Sequence, residues 1–294
     1  LIVTSVWPNG GDNGLMSAVL TDLPHHLRLT APPTPEDLLA YPIILTSLMR
    51  RFGDFIAVSS IDLAVPKGAF LGFLGPNGAG KSTTINMIIG LLKPSKGTIY
   101  VHGQALAAAP LACKAALGVI PEDLALYDRL TAREQIDFTG RMFGIEPELV
   151  AQRAAELIAL LELDPGKYVG DLSLGMRKKV ALASALVHDP PVLVLDEPFN
   201  GIDAVSSRLI KSILRSLTQR GTTIILTTHV MEQIEALCDH VAVIDHGRIL
   251  VSDTMVGFRG AMSARGYDDM EHAFVALLGR DEPEKGLSWI GGDG

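Results

Sequence analysis

The sequence has only two cysteines, Cys113 and Cys238, far apart in the chain. They give neither a disulfide framework nor a metal-binding spacing, so a reducing compartment and two buried free thiols are expected. Long apolar runs are also missing. A membrane-spanning helix needs about 20 mostly apolar residues, and the best stretches, INMIIGLL and PPVLVLD, are much shorter. The N-terminal LIVTSVWPNGGDNGLM lacks the basic start and apolar core of a secretory signal. Basic charge is in short supply: 25 Lys and Arg stand against 33 Asp and Glu, for a formal net charge of −8. Nucleic-acid binding needs a basic field, so a general nucleic-acid binder is disfavoured and the acidity reads as ordinary solubility. No internal repeat or heptad array is present.

What is there is a chain of 294 residues with 48% hydrophobic content, enough for one large domain or two small ones. It begins at Leu1 rather than Met, and Met16 is a candidate start. Residues 1–40, rich in Pro, Gly, Asn and Thr, read as a poorly ordered extension. Regular structure is expected from PIILTSLM. Strand-like runs follow at SSIDLAV, AFLGFLG and GTIYVHG, with a helix expected over about 80–92. From about 124 to 187 the pattern turns helical. Thr131 and Glu134 form a capping-box pair, Pro147 suits a helix's first turn, and ELVAQRAAELIALLEL spaces its apolar residues by three and four. Strands return at VLVLD, TTIILTT and HVAVID, with a helix near 206–220. A βαβ rhythm broken by a helical insert predicts an α/β fold: a parallel-sheet core carrying a helical subdomain. The tail, 256–294, is short and mixed, with one amphipathic helix expected in DDMEHAFVALLG.

The chemistry concentrates in three places. GPNGAGKST comprises Gly75, Pro76, Asn77, Gly78, Ala79, Gly80, Lys81, Ser82 and Thr83. It follows an apolar run and precedes a helix, the context required of G-x-x-x-x-G-K-[ST]. Glycines let backbone amides surround phosphate oxygens. Lys81 can reach the outer phosphates, Ser82 offers a hydroxyl to Mg²⁺, and the helix start adds its dipole. VLVLDEP ends a buried-type strand with two acids. Asp196 suits the Mg²⁺ shell and Glu197 the polarisation of an attacking water. His229 follows TIILTT at the C-terminal end of a strand, the edge where open α/β sheets bind ligands.

LSLGMRKKV, residues 172–180, poses a question of charge. Ser173 is a good helix N-cap, yet Arg177, Lys178 and Lys179 crowd a first turn whose dipole favours negative charge. Either an anion lies nearby or the basic side chains snorkel into water.

Taken together, these motifs resemble the ATP-binding cassette (ABC) ATPases. GPNGAGKST is similar to their Walker A, VLVLDEP to Walker B, NGID with Asp203 to the D-loop, His229 to the switch histidine, and LSLGM to the signature, commonly LSGGQ. The order agrees over roughly residues 43–253. RRFGDFIAV, YDRLTAREQIDF and SLGMRKKVALASALVHDPPVLVLDEPFNGID further resemble the ATPases of ABC-2 type exporters.

The resemblance implies a P-loop NTPase (RecA-like) core with an antiparallel β subdomain and an inserted α-helical subdomain, the nucleotide-binding domain spanning 41–255. It implies ATP and Mg²⁺ as cofactors, ATP hydrolysis, and Phe52 stacking on adenine, the alternative being a core Phe. It implies a head-to-tail dimer, here a homodimer, in which Ser173 and Gly175 meet the partner's γ-phosphate. It also implies integral membrane permease subunits as partners, received by the helical insert and the loop around Glu122, at the cytoplasmic face of the cell membrane. Glu122 stands in GVIPED where the family has a Q-loop glutamine, and would share the metal with Ser82 and Asp196. Leu174 and Met176 replace a usual glycine and glutamine, as elsewhere in this branch. The competing readings are a soluble ABC ATPase working on ribosomes or nucleic acid, and a low-turnover ATP-gated regulatory module.

Overall fold

The computed structural model describes residues 33–279, so most of the extension expected at 1–40 lies outside the described residues. Its end is helical. Thr34 and Asp37 bond each other's backbone N–H in a capping box that starts helix α1 (Pro35–Ala40). Next come β1 (Ile43–Phe52), β2 (Phe55–Val65), β3 (Phe70–Leu74), α2 (Lys81–Ile88), β4 (Lys96–Val101), β5 (Gln104–Ala105), α3 (Pro110–Ala115) and β6 (Leu117–Ile120). The stretch 124–187 holds α4 (Ala132–Met142), α5 (Pro147–Leu160) and α6 (Leu174–Leu186). Then follow β7 (Val192–Asp196), α7 (Ala204–Gln219), β8 (Thr223–Thr228), α8 (Met231–Leu237), β9 (His240–Asp245), β10 (Arg248–Thr254), α9 (Met255–Ser263) and α10 (Met270–Leu277). Among the described residues no helix is long and apolar enough to cross a membrane.

The described residues form two sheets. The antiparallel one has the order β2-β1-β4-β5. The larger has the order β10-β9-β3-β8-β7-β6 and is parallel except for the β9–β10 pair. Its central strands are buried on both faces, which is why they read as unbroken apolar runs. Phe70, Leu74, Leu193 and Leu195 face one core, shared with α4–α7. Leu71, Phe73, Val192 and Val194 face the other, shared with the antiparallel sheet and α2. Cys113 and Cys238 are free and buried, and burial raises both thiol pKa values.

Three expectations need correction. The helix expected over 80–92 stops at Ile88, because Gly90 takes φ 73° and closes a Schellman motif: Gly90 N–H bonds Met87 and Leu91 N–H bonds Asn86. The extension expected through residue 40 ends in ordered helix. The described part of the tail, to residue 279, contains two helices rather than one, α9 being capped by the Thr254 hydroxyl on Gly257 N–H at 3.0 Å.

Between the parallel sheet and the helical insert lies a cavity of about 350 Å³. Leu91, Leu126, Phe143, Ala181 and His188 line it. The His188 ring stacks on Phe143 at 3.7 Å, fastening α4 to the end of α6.

Candidate functional site

β6, β7, β8 and β3 run parallel, so their C-terminal ends share one edge of the sheet. That edge delivers Glu122 just after β6, Asp196 and Glu197 at the end of β7, residues 75–83 after β3, and His229 directly after β8. Four segments far apart in sequence meet there because the strand order brings them together.

Gly80 takes φ 107° as the N-cap of α2, and a Cβ there would lie 2.7 Å from the Ala57 carbonyl oxygen. Only glycine satisfies both conditions. The 75–83 loop thus packs closely on β2, beside the hairpin that carries Phe52. Lys81 is buried, and its ammonium donates to the carbonyls of Gly75 at 2.7 Å and Pro76 at 3.1 Å. Burial lowers its pKa, while the charges of Glu197, Asp196 and Glu122 oppose that shift.

Asp196 is buried, and its Oδ1 accepts a hydrogen bond from the Thr227 hydroxyl. Burial pushes its carboxyl up. The Thr227 bond, the Lys81 charge and the Ser82 hydroxyl hold it back, while Glu197 adds to the rise. Glu197 sits at φ 47°, in the left-handed region. Its N–H is held by the Thr227 carbonyl and hydroxyl, each at 3.2 Å, and its Oε1 meets His229 Nδ1 at 2.8 Å. Its Oε2 is buried with no hydrogen-bond partner. Such an oxygen calls for a donor from outside the chain, such as a bound water or ligand.

The edge also fits a hard cation. The Ser82 hydroxyl lies near enough to Asp196 to help lower its pKa, and the two form an all-oxygen pair of the kind Mg²⁺ takes alongside phosphates and water. Among the described residues no group of three or more His, Cys, Asp or Glu could cage a metal. A cation here would therefore draw most of its ligands from nucleotide and water. Glu122 is exposed, yet its charge acts on both Lys81 and Lys178.

The signature segment is built differently from the sequence expectation. Ser173 caps α6, its hydroxyl accepting Met176 N–H at 3.3 Å. A Cβ on Gly175 would lie 3.9 Å from Asp203 Oδ2. Asp203 in turn caps α7 by accepting from Ser206 and Val205 N–H at 2.9 and 3.0 Å, bonds that lower its pKa. The basic turn does not snorkel into water. Arg177 pairs with Asp128 at 2.8 Å, and Lys178 and Lys179 are only 6% and 8% exposed. Lys178 donates to the Glu197 carbonyl at 2.9 Å and the Asn200 carbonyl at 2.6 Å. Two carbonyl dipoles satisfy this ammonium.

Phe52 is 45% exposed, which removes the core alternative. The Arg50 guanidinium sits 4.4 Å from its ring centroid. Thr227, at the edge, escaped the sequence reading, and Lys178 of α6 was noted there only for its charge. The available signal for Thr227 was a hydroxyl at the end of a buried strand, two residues before His229.

The comparisons with known proteins agree with this geometry. A family model described as ABC transporter matches residues 58–200. The chain is 36% identical over 249 residues to the ABC transporter ATP-binding protein NatA of Bacillus subtilis, covering 81% of this chain and 98% of that one. It is 42% identical over 209 residues to the Nod factor export ATP-binding protein I of Burkholderia lata, covering 70% and 69%. A solved ATP-binding subunit of an ABC transporter superposes with a TM-score of 0.75 at 28% identity, over 80% of this chain and 99% of that one. Motif order, sheet-edge geometry and these relatives lead to one conclusion: the chain belongs to the ABC transporter family and is one of its ATPase subunits.

Proposed function

We propose that the chain binds Mg²⁺ and ATP at this sheet edge, pairs with a second copy around two nucleotides, and hydrolyses ATP to power export through separate integral membrane subunits. The observation that carries the proposal is the convergence of Lys81, Asp196, Glu197 and His229, with one Glu197 oxygen buried and lacking a donor. Lys81 exchanges its carbonyl contacts for phosphate oxygens. Asp196 and Ser82 would hold the cation, which would supply neutralisation of phosphate charge. Glu197 accepts a proton from the attacking water, and His229 orients Glu197 and the outer phosphate. Phe52 offers a ring to adenine, with Arg50 behind it. The D-loop acid, Asp203, positions the signature segment at Ser173 and Gly175.

Export is supported by the relatives, among them a Nod factor export protein and a linearmycin resistance protein. The helical insert and its cavity suit an apolar helix of a permease, which would hold the chain at the cytoplasmic face of the membrane. Exposed Tyr127, Phe138, Met142 and Phe143 surround that region, where a monomer has little reason to leave aromatics uncovered. Detergent-solubilised membranes should yield the chain together with an integral membrane protein. Phe143→Asp should weaken that association by roughly 30-fold, the effect of losing a central apolar anchor. Capture of ribosomes or nucleic acid in place of a membrane protein would refute the transport reading.

Glu122 supplies another test. The edge would hold Asp196, Glu197 and Glu122 near a triphosphate, and like charges repel. Mg²⁺ offsets that repulsion. ATP affinity should therefore depend more steeply on Mg²⁺ in the wild type than in Glu122→Gln. Parallel curves across a Mg²⁺ titration would leave Glu122 as a solvated loop residue.

A further inference from the structure

Glu197 occupies a backbone conformation that its sequence position opposes. It is not glycine, yet its φ is 47°. It also precedes Pro198, whose ring further restricts the residue before it. A residue in such a conformation persists only where its surroundings over-determine it. The structure shows two restraints, from two different elements. Thr227 of β8 takes the Glu197 N–H. Lys178 of α6 takes the Glu197 carbonyl at 2.9 Å.

The second restraint reaches further. Residues 197–200 form a turn in which Asn200 N–H approaches the Glu197 carbonyl at a long 3.4 Å. The Lys178 ammonium also bonds the Asn200 carbonyl at 2.6 Å, so one buried cation clasps the first and last residues of the turn. Beyond the turn lies Asp203, next to Gly175. Lys178 lies five residues after Ser173 on the same helix, so α6 connects Ser173 rigidly to the Glu197 turn.

We propose that Lys178 is a positioning residue: it holds the 197–200 turn so that the Glu197 carboxylate points at the reacting water, and it transmits the placement of α6 to that carboxylate. This rests on the reading of Glu197 as the base and Ser173 as a contact to the partner's nucleotide. On that reading, Ser173 meets the nucleotide of the other site while Glu197 serves its own. Lys178 then makes hydrolysis in one site depend on engagement at the other. It touches neither nucleotide and acts only through the Glu197 turn.

The test is steady-state kinetics and ATP affinity of the full chain with Lys178→Met, which keeps length and removes the donors, and Lys178→Arg, which keeps donors. A carboxylate displaced by about an ångström loses up to about 100-fold in rate. Lys178→Met should thus lower kcat by about 10- to 100-fold, with KM and ATP affinity within about twofold of wild type. Lys178→Arg should recover most of the loss. In the Glu197→Gln background, single-turnover rates should show no further loss from Lys178→Met, because the group it positions is already gone. If Lys178→Met does not fold, Lys178→Gln replaces it, its amide being too short to clasp both carbonyls. Unchanged kcat in a folded variant, equal losses in kcat and affinity, or full additivity with Glu197→Gln would each overturn the inference. Normal turnover by Glu197→Gln alone would overturn the parent reading instead, so the two failures are distinct.

Discussion

Glu197→Gln should lower ATP turnover by about 10²–10⁴-fold, the range a positioned general base contributes, while leaving ATP binding intact. The two effects separate because the restraints on this residue act on its backbone. Thr227 and Lys178 bond the N–H and the carbonyl, which the substitution leaves in place. Glutamine matches glutamate in size, so His229 keeps a polar partner at the 2.8 Å contact. What disappears is the second carboxylate oxygen, buried and without a donor in the wild type. In glutamine one of the two positions is an amide nitrogen, which donates and cannot take a proton from water. The nucleotide-bound dimer should therefore form and persist. Phosphate release measures the first effect, and size-exclusion chromatography with ATP measures the second. Phosphate release in the wild-type range would remove Glu197 from the chemistry. Monomeric protein at saturating ATP would break the link between hydrolysis and dimer release.

How much of this was legible beforehand follows from the range of each interaction. The parallel core was open to reading because its strands are buried on both faces and leave unbroken apolar runs between glycine and proline signals. Lys81, Asp196, Glu197 and His229 were accessible because each lies at or just beyond a strand end, and parallel strands bring those ends to one edge. Helix α1 was hidden by composition. Its Thr34–Asp37 capping box stood in a segment whose prolines suggested disorder. Helix α9 was obscured by Gly257 and Gly260, which break the apolar periodicity. The partners of Lys178 could not be read. Its charge suggested an external anion, whereas its partners are carbonyls 19 and 22 residues away, and a carbonyl leaves no mark in a sequence.

Mixing two inactive proteins should restore activity. Lys81→Ala removes the ammonium that now bonds Gly75 and Pro76 and, on the proposed reading, phosphate. It should weaken ATP binding through loss of a charge-assisted contact. Ser173→Arg places a bulky cation at the start of α6 and removes the bond to Met176 N–H. Losing an N-cap costs about 1 kcal/mol, so the helix should survive, packed as it is through Val180 to Ala185. Each homodimer then has two broken sites. In a mixed dimer one site takes the intact 75–83 loop from the Ser173→Arg chain and the intact Ser173 from the Lys81→Ala chain. Random pairing puts half the chains in mixed dimers with one good site of two, so roughly a quarter of wild-type turnover should return if the sites fire independently. If Ser173 served the nucleotide of its own chain, every site in the mixture would be broken and nothing would return. The ATPase rate against mixing ratio should peak near equal amounts, and a flat line at zero would place Ser173 outside the partner's site.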